Sequence, residues 1–283
     1  MKNSITKTVL YLLLSFILTS ANAADKPTLA PDLAKEKRWE NQIVPMLIDG
    51  ESIKLNAKGV EFLGLYTEAS TANTRGAVIL LHGAGIHPDW DQVIKPLRTQ
   101  LPDQGWSTLS IQLPVLDNLA TEEDYVPLFK GIPARIQASI EYLNKQNIRN
   151  IVLLGHSLGA SMGSDYLSKS NVQGIKAFVG IGMKGLPRND FPMLDNVNAM
   201  LQIHQPILDI YGSETNKPIL ESVDRRAFAI NQGNNQHSRQ IKVSGADHFF
   251  EGHETQLTNE ISSFMNTVTS TDPATNVTKN TNK

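Results

Sequence analysis

The stretch Gly155-His156-Ser157-Leu158-Gly159 follows an apolar run, Ile151 to Leu154, and precedes a pattern typical of a helix. This arrangement predicts a sharp strand-to-helix turn that holds a serine in a strained backbone conformation and exposes its hydroxyl as a nucleophile. The residues two before and two after such a serine must be small so that strand and helix can approach closely, and glycine stands in both places. The alternative interpretation is that Ser157 only caps the helix, a position that serine suits equally well.

The first 23 residues predict a secretory signal peptide cleaved near Ala23. Lys2 and Lys7 form a basic start, Val9 to Leu18 is apolar apart from one serine, and Ala21-Asn22-Ala23 offers small residues for cleavage. A membrane helix needs about 20 apolar residues, which makes an uncleaved anchor the less favoured alternative. With no cysteine in the chain, neither a lipid-anchored lipoprotein nor a disulfide framework is expected. We therefore expect a periplasmic or secreted protein with no membrane span after cleavage.

The remaining chain predicts one folded domain between two irregular ends. We assign residues 24–50 to an N-terminal extension, residues 51–268 to the domain and residues 269–283 to a disordered tail. Ala24 to Arg38 and Thr267 to Lys283 are expected to be flexible, because they offer few large apolar side chains to offset the entropy of ordering. The net charge of −2 and the lack of clustered Lys and Arg argue against nucleic acid as a partner.

Strand-like and helix-like patterns alternate through this domain, which predicts an α/β fold. An antiparallel hairpin is expected first, turning at Ala57-Lys58-Gly59, followed by parallel strands. Together they predict a mostly parallel sheet of about eight strands with helices on both faces, whose strands are Glu51 to Leu55, Val60 to Tyr66, Ala77 to Leu81, Ser107 to Leu113, Ile151 to Leu154, Ala177 to Ile181, Ile207 to Tyr211 and Gln240 to Val243. The expected helices are Asp91 to Leu101, Ile132 to Gln146, Leu158 to Ser168, Ile219 to Asn231 and His253 to Val268.

Two further loops follow the carboxyl ends of predicted strands, where chemistry in such sheets is found. His82-Gly83-Ala84-Gly85 has the glycines that let backbone N–H groups approach a developing oxyanion, and we nominate the amides of Ala84 and Leu158 for that role. The alternative interpretation is that this loop is only a tight strand-to-helix turn that binds no ligand. Gly245-Ala246-Asp247-His248-Phe249-Phe250 carries His248, the histidine best placed to act as a general base for Ser157. His156 is interpreted as structural, with its side chain turned away from the nucleophile.

These three loops, in this order, resemble the α/β-hydrolase superfamily over roughly residues 51–268. Within it the chain is similar to small bacterial esterases of the carboxylesterase and dienelactone-hydrolase kind, and to exported members of unassigned function. The resemblance implies an α/β-hydrolase fold and a Ser-His-acid serine hydrolase of esters or related acyl compounds that needs no cofactor. The short stretch Gly182 to Pro206 leaves room for only a minimal lid.

The acid of the expected triad is where the chain departs from this superfamily. The acid commonly lies three residues beyond a glycine that ends a strand, but three residues after Gly212 stands Thr215. Glu214 is our first choice for the acid because its longer side chain could reach the imidazole from one position earlier. Asp209, inside an apolar strand, and Asp190 are the alternative acids, and Asp209 more readily serves a structural role.

Three functions remain open from sequence. The first is a serine hydrolase acting on a small-molecule acyl substrate. The second is a catalytically weak or inactive binding or accessory protein of the cell envelope, which the displaced acid would favour. The third is an acyltransferase that uses the same serine. A metal site is not expected, since His-Glu-x-x-His and comparable ligand clusters do not occur in the sequence. The sequence indicates no particular oligomeric state.

Overall fold

The computed structural model describes residues 29–269 except 73, 170, 171, 173, 186 and 234. The predicted signal peptide and most of the predicted tail therefore lie outside the described residues. One sheet of eight strands runs through the molecule in the order β1-β2-β4-β3-β5-β6-β7-β8. The strands are β1 (Glu51–Ala57), β2 (Val60–Thr67), β3 (Gly76–Leu81), β4 (Trp106–Ile111), β5 (Ile151–His156), β6 (Ile175–Ile181), β7 (Ile207–Gly212) and β8 (Arg239–Val243).

The pairing confirms a mostly parallel sheet with an antiparallel start. Strands β1 and β2 form the expected hairpin, in which Lys58 and Gly59 have φ values of 52° and 93°. Strand β2 pairs antiparallel with β4, and all later pairs are parallel. The carboxyl ends of β3 to β8 consequently open on the same edge of the sheet, which brings their following loops together.

Helices cover both faces of this sheet, as alternating side chains along each strand require. The α-helices are α1 (Leu33–Ile43), α2 (Ile94–Gln100), α3 (Ile132–Lys145), α4 (Leu158–Lys169), α5 (Asn196–Gln202), α6 (Lys217–Leu220), α7 (Val223–Gln232) and α8 (Glu254–Thr269). Along β3, Ile79 and Leu81 pack into the core beneath α3 and α4, while Val78 and Leu80 pack into the core beneath α2 and α8. No helix within the described ranges is long and apolar enough to cross a bilayer.

The N-terminal extension differs from the expectation. Ala24 to Arg38 was expected to be flexible, but from Leu33 onward the chain forms α1, and this helix docks on the loop after β4. The Lys35 ammonium donates to the Leu116 carbonyl at 2.8 Å, and Glu36 forms a buried ion pair with Arg135 at 3.0 Å. The composition concealed this helix because its buried face includes the charged Lys35 and Glu36 beside the apolar Ile43, and its partners are distant in sequence.

The region between β7 and β8 also differs from prediction, since two helices replace the single helix expected over Ile219 to Asn231. The helix α7 is attached to the sheet by a buried ion pair: Arg226 Nε donates to Asp209 Oδ2 at 2.8 Å, and both side chains are fully buried. Gln240 donates to the same carboxylate oxygen at 2.8 Å. Asp209 therefore has the structural role that its place inside an apolar strand favoured.

We expect Arg226→Met to lower the free energy of unfolding by about 3–5 kcal/mol, because it leaves the Asp209 carboxylate buried without its cation. Urea denaturation followed by circular dichroism measures this change. The matched control is Lys217→Met, which breaks the exposed Lys217–Glu221 pair and should cost less than about 1 kcal/mol. Equal effects of the two substitutions would contradict the assignment.

Candidate active site

The turn between β5 and α4 has the strained geometry expected of a nucleophile elbow. Ser157 lies at φ 54°, in the left-handed region that side chains other than glycine rarely adopt. A β-carbon on Gly155 would collide with the backbone of Ala160, and one on Gly159 would collide with the carbonyl oxygens of Leu81 and His82. Glycine is therefore required on both sides of the serine, and α4 begins directly against the end of β3.

The loop after β3 lies beside this elbow. A β-carbon on Gly83 would lie 3.4 Å from Ser157 Cβ, so the backbone of the loop passes immediately next to the serine. Within the described residues, the amides of Ala84 and Leu158 donate no hydrogen bond. Two unpaired N–H groups on the two loops that flank Ser157 are the donors that an oxyanion requires.

Tyr125 holds this loop in place, a role that sequence reasoning missed. Its hydroxyl is buried and accepts hydrogen bonds from the amides of Gly85 and Leu116, both at 3.1 Å. The loop after β3 is thus tied to the loop after β4. A tyrosine among acidic residues gave no signal of this function, because its partners are main-chain groups from two distant segments.

His82 also stabilises the loop after β3, through hydrogen bonds of both its ring nitrogens. Its Nε2 accepts from the amide of Leu113 at 2.9 Å, which leaves the proton on Nδ1, where it faces the Gly83 carbonyl at 2.8 Å. Complete burial lowers the pKa of His82 to about 3. The side chain is therefore a neutral, structural histidine at the start of the loop.

The loop after β8 is shaped by its own backbone and by β7. A β-carbon on Gly212 would collide with the carbonyl oxygens of Ala246 and Asp247, so the end of β7 lies directly against this loop. Asp247 Oδ1 accepts from the amide of Phe249 at 2.9 Å, and the buried Phe250 anchors the loop in the core at φ 54°. His248 lies between Asp247 and Phe249, and its side chain projects from the loop at the carboxyl edge of the sheet.

The imidazole of His248 lies against the residues that flank the nucleophile. Its ring centroid is 4.8 Å from that of His156, and His156 Nε2 donates to the His248 carbonyl at 3.1 Å. The Cε1 and Nδ1 atoms of His248 lie about 3 Å from the position that a β-carbon on Gly182 would occupy. The residue before Gly182, Ile181, accepts a hydrogen bond from the Ser157 amide through its carbonyl at 2.9 Å. His156 was interpreted as structural, and it is: it is buried, and burial lowers its pKa to about 3.

Within the described residues, the Ser157 hydroxyl forms no hydrogen bond with His248. Nucleophile and base pairs are often loose in structures without substrate and tighten only when the substrate binds. The two side chains are brought to the same edge of the sheet by the contacts above.

The structure differs from the sequence prediction at the third member of the expected triad, the acid. Thr215 Oγ1, not a carboxylate, lies 3.4 Å from His248 Nδ1. Glu214 is exposed, and within the described residues its side chain has no hydrogen bond to His248. Its amide donates to the Ala246 carbonyl at 2.9 Å, which fixes its backbone while its side chain faces solvent. The structure thus does not bring Glu214 to the imidazole.

The two alternative acids are also placed elsewhere. Asp209 is bound by Arg226 and Gln240, and burial raises its pKa against the opposing effect of Arg226. Asp190 lies exposed in a turn after β6. The charges that act most on His248 are those of Lys184, Asp247 and Glu122, while burial is the first cause that lowers its pKa.

Ion pairs join the two loops at the mouth of this site. Glu122, in the loop after β4, pairs with Lys184 at 2.7 Å, and Glu123 pairs with Arg188 at 2.6 Å. These ion pairs make the acidic loop after β4 a bridge to the loop after β6 across the edge of the sheet. The described residues contain no group of three or more His, Asp or Glu side chains that could hold a metal ion.

The two buried histidines make the stability of the fold depend on pH. Both fold with a pKa near 3, whereas an unfolded histidine titrates near 6.5, so the unfolded chain binds more protons between these values and acid favours unfolding. As the pH falls through this range, each histidine should lower the free energy of unfolding by about 1.4 kcal/mol per pH unit, or by about 2 kcal/mol between pH 6.5 and 5.

We therefore expect His156→Gln, which keeps a donor in place of Nε2, to reduce the loss of stability between pH 7 and 5 by about 2 kcal/mol. Urea denaturation at the two pH values measures this. The exposed His204→Gln is the control and should leave the loss at its wild-type size. An unchanged loss in His156→Gln would show that His156 is not held neutral.

Solved structures share this fold at low sequence identity. Est1E from Butyrivibrio proteoclasticus is 14% identical, with a TM-score of 0.58 and coverage of 77% of this chain and 99% of its own. Dienelactone hydrolase from Anabaena variabilis is 19% identical, with a TM-score of 0.59 and coverage of 77% and 96%. An alpha-beta serine hydrolase homologue from Coxiella burnetii is 16% identical, with a TM-score of 0.58 and coverage of 77% and 98%. The chain therefore has the α/β-hydrolase fold.

No curated protein is detectably similar to the chain in sequence. A family model does match, over residues 9–127 and 128–267, which is most of the length of the chain. The chain belongs to the family described as "Protein of unknown function (DUF3530)".

Proposed function

We propose that this protein is a serine hydrolase that cleaves an ester or a related acyl bond through an acyl-enzyme. The observation that carries the proposal is the strained Ser157, at φ 54°, flanked by the unpaired amides of Ala84 and Leu158. Strain of this kind is retained only where the surrounding structure enforces it, and it is found preferentially at functional sites. A helix cap would need neither the strain nor the second loop.

In the proposed reaction the Ser157 hydroxyl oxygen attacks the acyl carbon while its proton passes to Nε2 of His248. The amides of Ala84 and Leu158 donate to the oxyanion of the tetrahedral intermediate. The intermediate collapses, the bond to the leaving group breaks, and the alcohol leaves with the proton from His248. Water then attacks the acyl-enzyme, again giving its proton to His248, and the acid is released with Ser157 restored.

The substrate must reach this site past the ion pairs that join Glu122 and Glu123 to Lys184 and Arg188. We propose that the substrate is a small acyl compound, since only the short loops after β4 and β6 cover the site. Est1E has been solved with ferulic acid bound, and an ester of that acid is therefore a rational first member of an ester panel. We also propose export to the periplasm or out of the cell, supported by the basic and apolar pattern of the first 23 residues.

A second candidate function is a binding or accessory protein that retains the fold with little turnover. The observation that favours it is the hydroxyl of Thr215, instead of a carboxylate, at Nδ1 of His248. A triad without its acid retains only part of its rate. Acyl transfer to an acceptor other than water would use the same serine and the same intermediate.

Labelling with a fluorophosphonate probe separates the catalytic functions from the binding function, because the probe bonds only to an activated serine hydroxyl. We expect labelling of the wild type and none of Ser157→Ala, with hydrolysis of short p-nitrophenyl esters lost in parallel. The matched control is Ser168→Ala on the same helix, whose hydroxyl donates to the Asp165 carbonyl and which should label like the wild type. A folded wild type that neither labels nor cleaves any ester would favour the binding protein.

Substitution of Glu214 tests the acid that the sequence suggested. With its side chain in solvent, we expect Glu214→Gln to keep kcat/KM within about threefold of the wild-type value, measured on the best ester of the panel. A fall of several orders of magnitude, as follows loss of a triad acid, would restore Glu214 as the residue that orients His248.

A further inference from the structure

The residue at the acid position of this site is a threonine, and it contacts the atom that the acid would contact. We propose that Thr215 is the positioning residue of His248, accepting a hydrogen bond from Nδ1–H through its hydroxyl oxygen and thereby leaving Nε2 to face Ser157. This inference rests on the proposed serine hydrolase function and assigns its third residue. It follows from the 3.4 Å contact and from the backbone that places Thr215 there.

The backbone on both sides of this contact is closely tied. The Ser213 amide donates to the Val243 carbonyl, and the Glu214 amide donates to the Ala246 carbonyl, both at 2.9 Å. The Gly245 amide donates to Ser213 Oγ at 2.8 Å. These bonds join the ends of β7 and β8, so the side chain of residue 215 faces the imidazole and that of residue 214 faces solvent. Thr215 is only 6% exposed.

Sterics leave the imidazole little freedom to turn away. The His156 ring lies on one side at 4.8 Å, and Phe249 lies at 5.1 Å between ring centroids. At Gly182 any side chain would press on Cε1 and Nδ1 of His248. With the ring confined in this way, even a neutral hydroxyl suffices to select the tautomer that carries its proton on Nδ1.

The charged groups around His248 do not replace the missing carboxylate. Lys184 reaches it from the loop after β6, Glu122 from the loop after β4, and Asp247 from its own loop. Lys184 and Glu122 neutralise each other at 2.7 Å, and Asp247 is occupied by the amide of Phe249. The neutral His156 adds no charge. A hydroxyl stabilises an imidazolium less than a carboxylate does. The Thr215 hydroxyl therefore orients the His248 ring but stabilises its protonated form only weakly.

The consequence is a base whose pKa lies below its usual value, because burial and the nearby Lys184 disfavour its charged form more than Asp247 and Glu122 favour it. Hydrolysis requires neutral His248, so activity should persist at pH values where an ordinary histidine is protonated. The rate should be modest, because the imidazolium of the transition state lacks its counter-charge.

Substitutions of Thr215 test this assignment, since valine has nearly the shape of threonine and aspartate is similar to it in size. The histidine ring signals are followed by NMR against pH, and that of His248 is identified by its loss in His248→Gln. We expect Thr215→Asp to raise the pKa of His248 by about 1–3 units and to raise kcat by about tenfold or more, with the acid limb of the pH profile moving with that pKa. The control Thr267→Asp adds the same charge on an exposed position of α8 and should change neither.

Thr215→Val removes the acceptor without changing the shape. We expect kcat to fall by about tenfold with KM unchanged, the loss of one hydrogen bond, while Thr215→Ser restores the wild-type rate. Should Thr215→Asp fail to fold, the comparison of valine with serine decides the matter. Wild-type kcat in Thr215→Val, or an unchanged pKa of His248 in folded Thr215→Asp, would overturn the assignment.

The two proposals fail in different ways. If Ser157 neither labels nor hydrolyses esters, the hydrolase proposal is wrong, yet the NMR titration of Thr215→Asp still shows whether residue 215 contacts Nδ1. If Ser157 labels and the titration does not move, the enzyme stands and Thr215 is not its positioning residue.

Discussion

The close approach of main chain to main chain at the carboxyl edge of the sheet is the constraint on which the rest of this structure depends. At Gly155, Gly159 and Gly212 a β-carbon would collide with backbone atoms of a neighbouring segment. The contact at Gly155 closes the turn between β5 and α4, the one at Gly159 joins that turn to the end of β3, and the one at Gly212 joins the end of β7 to the loop after β8. Larger residues at these positions would separate the loops and, with them, the serine from the imidazole.

Three histidines lie at this edge of the sheet, and they differ in how deeply their side chains are buried. His82 and His156 are enclosed, so their pKa values fall to about 3 and both remain neutral. Their ring nitrogens then act as fixed hydrogen-bond partners of main-chain groups on the loops that carry Ala84 and His248. His248 is only partly buried, as the proposed role in proton transfer requires. The two structural histidines and the proposed base thus differ in their solvent access.

Support for the site extends beyond the sheet to segments whose sequences gave little indication of it. The helix α1 reaches the loop after β4 through the Lys35 and Glu36 side chains, and that loop carries Tyr125, which holds the amide of Gly85. Farther out, Glu122 and Glu123 join the same loop to the one after β6. A continuous set of polar contacts therefore connects the N-terminal helix with the loop after β3.

Local patterns in the sequence determined the fold class and the strands, and they predicted Ser157 and His248 as site residues. Alternation of short apolar runs with helical periodicity requires only neighbouring residues to be recognised, and glycines at fixed offsets mark a strained turn wherever it occurs. The glycine-plus-three spacing likewise located the acid position after Gly212. Only the tertiary structure decided which side chain faces the imidazole from there, because hydrogen bonds between two loops 30 or more residues apart turn Thr215 inward and Glu214 outward. The same holds for the burial of Asp209 and for α1, since their partners are brought near by folding and leave no periodic trace in the chain.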